Sequence, residues 1–148
     1  MRSTYDGRVA YDDAHLTSMI AADRTAAGLG VRVVRVGDGR AEVCMTVRAD
    51  MLNGHGTCHG GFIFALGDIA LSYASNTRGT LNVAAAAQIQ YVAPAVEGTE
   101  LRAVACERLR YGKDGRNGMY DITIIDTSDQ SLVAIFTGRV TETGSAPR

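Results

Sequence analysis

The sequence predicts an α+β domain: a strongly curved antiparallel sheet wrapped around one long apolar helix, with a further helix near the N-terminus. Three observations lead there. The stretch "HGGFIFALGDIALSYA", residues 59–74, is apolar on almost every side apart from its glycines, the composition of a helix buried all round. A hairpin-like pair of β-branched runs precedes it, and about four strand-like runs follow it. A sheet needs cover on one face, and a single apolar helix supplies that cover.

Taken in order, residues from about Asp12 to Ala27 read as an amphipathic helix. Leu16, Met19, Ile20 and Ala26 recur at helical spacing, and Gly28 follows as a stop. In "LGVRVVRVGDGRAEVCMTV", two strand-like runs flank "GDG", a hairpin signal. A glycine-rich loop, Asn53 to Gly60, leads into the apolar helix, which continues to about Asn76. The strand-like remainder is "LNVAAAAQIQYVAP", ending at Pro94, then "TELRAVACERLRY", then "GMYDITIID" and "QSLVAIFTGRVT" joined by "TSDQ".

The 148 residues suit one domain, 1–148, with its core over about 12–141 and a disordered tail, "TGSAPR". A formal net charge of -1 gives no reason to expect nucleic acid or an anionic membrane as partner. No segment is long enough to span a bilayer, and "MRSTYDGRVAYDD" lacks the apolar core of a signal peptide. Cys44, Cys58 and Cys106 are scattered, with no CxxC pair, so no disulfide framework is expected. The expected compartment is the cytosol.

Asp68 is the anomaly in this pattern. An ionised carboxylate taken out of water is costly unless something compensates it. It either faces a structural partner or serves as a reagent, and three neighbours bear on the choice. Gly60 and Gly61 stand where the loop becomes the helix, so their N–H groups belong to its unsatisfied first turn and admit a close ligand. The helix dipole favours negative charge there, as an oxyanion hole requires.

Gly60 and Asp68 are eight residues apart, about 12 Å along a helix axis, beyond the reach of a short side chain. If both serve one reaction centre, the carboxylate comes from a second chain, and two helices pair antiparallel across a dimer. Ser72 lies one turn beyond Asp68 on the same face. Its hydroxyl either holds an attacking water or eases helix packing.

The run "MLNGHGTCHGGFIFALGDIALSYASN", residues 51–76, resembles the signature of hotdog-fold acyl-CoA thioesterases, in particular the bacterial phenylacetyl-CoA thioesterases of phenylacetate degradation. The matching positions are "NGH" at Asn53 to His55, "CHGG" at Cys58 to Gly61, and Phe64, Leu66, Asp68, Ala70, Tyr73, Ala74 and Asn76. A looser likeness runs from about Ala10 to Thr141. The resemblance implies the hotdog fold, dimers formed through the sheet, and pairing of dimers into tetramers. It implies that Asp68 is the catalytic acid, acting as general base or nucleophile, with Gly60 N–H as the donor from the opposite subunit. It also implies that Asn53 is the loop amide positioning carbonyl or water, and that Ser72 orients water. Gly67, where the family usually has alanine, is a departure that leaves the acid in place.

Thioester hydrolysis suits so sparse a site, because a thiolate leaves readily and only an activated water and a charge-stabilising hole are required. No cofactor or metal is expected. An apolar pocket tends to raise the Asp68 pKa, and the opposing helix N-terminus is expected to limit that shift. His55, Cys58 and His59 offer metal-ligand chemistry without a fourth ligand nearby; the preferred reading has His59 bonding the loop backbone and Cys58 packed.

His59 and Gly61 are candidate substrate-binding residues, as are Arg108 and Lys113 in the basic run "RLRYGKDGRNG". Those cations either meet the phosphates of coenzyme A or decorate a solvated hairpin tip. This hairpin is longer than the family's usual one. Two rivals remain: a hotdog dehydratase, which uses a His with an acidic residue, and a non-catalytic acyl-CoA sensor, which carries an added DNA-binding segment. The expected protein is thus a homo-oligomeric thioesterase acting on phenylacetyl-CoA or its hydroxylated relatives, with other aryl- or medium-chain acyl-CoAs as alternatives.

Overall fold

A computed structural model describes residues 14–145; Asp12, Asp13 and the last three residues of the tail lie outside the described residues. The elements follow the expected order. Helices α1 (Ala14–Ala22) and α2 (Arg24–Gly28) precede strands β1 (Arg32–Gly37) and β2 (Arg40–Thr46). The long helix α3 (Gly60–Ser75) comes next, then β3 (Thr80–Tyr91), β4 (Glu100–Tyr111), β5 (Asn117–Asp126) and β6 (Leu132–Ser145). The six strands form one antiparallel sheet in the order β1-β2-β4-β5-β6-β3, which leaves β1 and β3 at its edges.

Two expectations are corrected at the termini. The N-terminal helix is broken in two because Asp23 leaves helical geometry (φ -75°, ψ 93°) and its carboxylate accepts the Ala26 N–H at 2.9 Å. An aspartate that can cap a new helix competes with continuing the old one. At the other end, Thr143, Gly144 and Ser145 are not a disordered tail. They extend β6, where Gly144 pairs with Leu81 and Ser145 with Thr80.

The hairpin at "GDG" forms as read. Gly37 pairs with Arg40 across a two-residue turn in which Asp38 (φ 51°) and Gly39 (φ 74°) are both left-handed. That is the turn whose twist matches paired strands, and it favours aspartate followed by glycine.

Alternate residues of the central strands point at α3. Leu101, Ala103 and Ala105 of β4, Tyr120, Ile122 and Ile124 of β5, and Ala134 and Phe136 of β6 are fully buried. Against them α3 sets Leu66, Ala70, Leu71, Tyr73 and Ala74, also buried. Register shifts in β3, β4, β5 and β1 mark irregularities of the kind that bend a sheet around such a core.

The helix is not hidden on all sides, however. Gly61 is exposed, and Ala65, Asp68 and Ser72 are only half-buried. These positions recur at spacings of four, three and four and so form one stripe.

The helix approaches β6 closely enough to explain Gly67. A Cβ there would come within 2.7 Å of Cδ2 of Phe136, whose ring centroid lies 5.0 Å from that of Phe64. Gly67→Ala is therefore expected to cost about 1–3 kcal/mol by overpacking. In thermal or urea melts, Phe136→Leu should cost less in the Gly67→Ala background than in the wild type. Strictly additive effects would refute this account of the glycine.

Candidate active site

The loop before α3 is organised by Asn53. Its side-chain carbonyl accepts the N–H groups of His55 (2.9 Å) and Thr57 (3.2 Å), while its amide nitrogen donates to the Thr57 hydroxyl (3.1 Å). Asn53 and Thr57 are also paired through the backbone, at 2.8 Å between Asn53 N–H and Thr57 C=O. The amide group thus holds its own loop, with one of its two hydrogens directed to Thr57.

The loop delivers His59 as the residue before α3, with extended backbone (φ -61°, ψ 133°). The expectation that its side chain bonds the loop backbone is corrected. The imidazole is exposed and does not cap the helix; the main-chain N–H of His59 makes the loop bond, to Met51 C=O at 2.7 Å. With the cap position empty, the N–H groups of Gly60 and Gly61 meet no protein acceptor among the described residues.

Cys58 is buried as expected, and burial pushes its thiol pKa up, against a role as thiolate nucleophile. Among the described residues no three His, Cys, Asp or Glu side chains are grouped to hold a metal ion.

Two cavities divide the candidate residues. One, of about 600 Å³, is lined by Asn53, His59, Gly60 and Gly61 together with Ile63 and Tyr91, and is bounded by Pro94. The other, of about 190 Å³, is lined by Asp68 and Ser72 together with Leu71, Asn82, Val83 and Val140. The carboxylate and the bare helix N-terminus therefore face separate spaces on one chain, as their helical spacing requires.

Arg108 and Lys113 line neither cavity. Arg108 pairs with Asp121 across the β4–β5 ladder, and Lys113 is exposed on a 3₁₀ turn, Lys113–Gly115. Both side chains lie at the surface of this chain.

Tyr91 was not legible as a site residue. It closes β3, and its hydroxyl donates to Gly60 C=O at 2.8 Å. A Cβ at position 60 would lie 2.8 Å from both Cζ and Oη of Tyr91, so only glycine fits beneath the ring. Asn82 was missed as well. It is held by Asn76, which accepts its N–H at 3.0 Å, and by Arg110, which donates to its side-chain oxygen at 3.1 Å. The only hint in the sequence was their position on a strand that follows the helix.

Burial raises the Asp68 pKa, and the negative charge of Asp23 raises it further. Asp23 is fixed near α3 because its second carboxylate oxygen accepts the Tyr73 hydroxyl at 2.9 Å.

The family model for the thioesterase superfamily matches residues 55–108. The acyl-coenzyme A thioesterase PaaI of Escherichia coli is 42% identical over 130 residues, spanning 88% of this chain and 89% of that protein. The chain belongs to the thioesterase superfamily and is a thioester hydrolase with the hotdog fold.

Among particular proteins, the structure of E. coli PaaI, from the phenylacetic acid degradation operon, superposes with a TM-score of 0.84 at 39% identity, covering 89% of this chain and 93% of that one. A variant of the phenylacetic acid degradation protein PaaI of Thermus thermophilus gives a TM-score of 0.74 at 39% identity, covering 80% and 98%. A Streptococcus mutans protein bound to acetyl CoA gives 0.71 at 25% identity, covering 78% and 90%.

The pKa shift has a consequence for stability. A carboxyl whose folded pKa lies above its unfolded value favours folding when protonated, and that contribution is lost as pH rises through the folded pKa. Asp68→Asn is therefore expected to melt above the wild type at about pH 8, with the gap closing as pH falls below the ordinary aspartate range. A gap independent of pH in thermal melts would contradict the assignment of the cost to the ionised Asp68.

Proposed function

We propose that this chain is a cytosolic acyl-CoA thioesterase acting on phenylacetyl-CoA or its hydroxylated relatives, with each reaction centre shared between two subunits. The observation that carries the reading is a half-buried carboxylate and an uncapped helix N-terminus on the same helix, facing different cavities, in a thioesterase-superfamily chain. Two helices aligned antiparallel across a dimer would bring Asp68 of one subunit to Gly60 of the other.

In this reading the Asp68 carboxylate takes a proton from water, and the water oxygen attacks the thioester carbonyl carbon. The negative charge that forms on the carbonyl oxygen is held by the Gly60 N–H at the positive end of the partner helix. Collapse of the intermediate breaks the carbon–sulfur bond; the departing CoA thiolate takes back the proton held by Asp68, leaving the free acid and the ionised carboxylate. Direct attack by Asp68, forming an anhydride that water then hydrolyses, uses the same residues. Asn53 and Ser72 position carbonyl and water, and His59 and Gly61 lie where the acyl-CoA enters. Arg108 and Lys113, both at the surface, are the cations this reading offers to the CoA phosphates.

The edge strand supports a dimer. Across Thr80–Tyr91 there is no charge and no proline, Ala84 to Ala87 are exposed, and Val83 and Tyr91 are each 53% exposed. An uncharged edge of this length is a template for a further strand, and a second copy of β3 fits it with matching chemistry. Covering it would also shield the open stripe on α3. Pairing of such dimers into a tetramer is the family's expected next level.

Two measurements test this. Thiol release from phenylacetyl-CoA should exceed that from acetyl-CoA, and Asp68→Asn should lower kcat by at least about 100-fold while folding and oligomer size hold. Equal rates for the two proteins would remove Asp68 from the chemistry. Mixed oligomers of Asp68→Asn and Gly60→Ala subunits, each impaired alone, should recover activity, because one of the two sites in a mixed dimer is then intact. Failure to recover, with both variants folded and mixed oligomers formed, would place both groups within one subunit.

A further inference from the structure

We propose that Tyr91 is a positioning residue for the oxyanion hole: it fixes and polarises the peptide between Gly60 and Gly61, making the Gly61 N–H a second donor beside that of Gly60. The inference rests on the hydrolase reading above and deepens it. Its basis is the bond from the Tyr91 hydroxyl to Gly60 C=O, 2.8 Å. That oxygen and the Gly61 N–H belong to one planar peptide unit, so a donor at one end strengthens the dipole presented at the other. The carbonyl has two lone pairs, so it takes this bond without giving up its place in the helix.

Three further facts fit this role. The Gly61 N–H has no protein acceptor among the described residues and lines the same cavity as Tyr91, so the polarised donor is free to meet a ligand. Two successive glycines leave the first turn poorly constrained, and the Tyr91 ring lies against Gly60 so closely that no Cβ fits. Burial does not require the bond either. Tyr91 is 53% exposed, and water would satisfy its hydroxyl equally well if positioning were of no use. The tyrosine thus sits behind the donor peptide and holds it open toward the cavity.

Tyr91→Phe removes the hydroxyl and keeps the ring. It is expected to lower kcat for phenylacetyl-CoA about tenfold, less than the loss of a direct oxyanion donor, with KM within about twofold and melting temperature and oligomer size unchanged. A second readout follows the carbonyl itself. In Asp68→Asn, bound phenylacetyl-CoA should show a thioester C=O stretch shifted to lower frequency by Raman spectroscopy. Adding Tyr91→Phe should reduce that shift, which a merely structural contact would not do. Wild-type kcat with an unchanged carbonyl shift would overturn the role of Tyr91 while leaving the hydrolase reading intact. A fall in kcat that tracks lost melting temperature, with the shift unchanged, would overturn it equally. A wild type that releases no thiol from either phenylacetyl-CoA or acetyl-CoA would overturn both.

Discussion

The close seat of α3 on β6 sets the rest of the molecule. Phe136 lies where a Cβ on Gly67 would be, and Leu71 lies where a Cβ on Gly138 would be. At both points the missing side chain lets a large apolar group fill the space between helix and sheet. Interiors are packed to crystal-like density, so the helix has little freedom to slide or rotate against the strands. Its rotation decides which residues face the sheet, and hence that Gly61, Ala65, Asp68 and Ser72 form the stripe left open. Asp68 is half-buried as a result, near enough to the apolar core to feel desolvation and open enough to reach a cavity.

Three features of α3 and the edge strand beside it cost stability. The half-buried carboxylate, the uncapped N-terminus of α3 and the uncharged β3 edge each lack something that a self-sufficient domain would supply. Elsewhere the chain meets those needs. Asp23 caps α2 and takes the Tyr73 hydroxyl, and Asp38–Gly39 closes the first hairpin with the twist its strands require.

The wall of the Asp68 cavity is backed by a satisfied polar network. The Tyr120 hydroxyl donates to Glu107 at 2.7 Å, Arg110 bonds Glu107 at 3.3 Å, and Arg110 also holds the Asn82 side chain. Burial, together with the acceptor Glu107, pushes the Tyr120 pKa well above its usual value, so the hydroxyl stays protonated as the donor. Asn82 in turn exchanges bonds with Asn76, at the end of α3. A network with each member paired stiffens what it touches. It ties the last turn of α3 to the start of β3, and both flank the cavity.

Much of this was legible in the chain alone. An apolar run identified α3, and β-branched or alternating runs identified the six strands, because a helix apolar all round and a sheet with one apolar face each need the other. The "GDG" turn followed from the left-handed backbone it requires, and the 12 Å helical rise from Gly60 to Asp68 separated the two groups before any coordinates. Local pattern failed where a side chain had two uses. Asp23 could continue a helix or cap one, and it caps one while also accepting the Tyr73 hydroxyl from α3.

Arg108 could meet phosphate or decorate a solvated hairpin tip, and its pairing with Asp121 followed from strand register, not from local pattern. Tyr91 lies 31 positions from Gly60, so no spacing rule could join them; their contact exists because β3 returns along the helix it follows. The sequence by itself determined the elements and the candidate reagents, since these depend on side-chain chemistry and short-range geometry. Which groups meet, which face stays open and what supports the donor peptide were decided only by tertiary packing, because they depend on register and helix rotation, which no local interaction fixes.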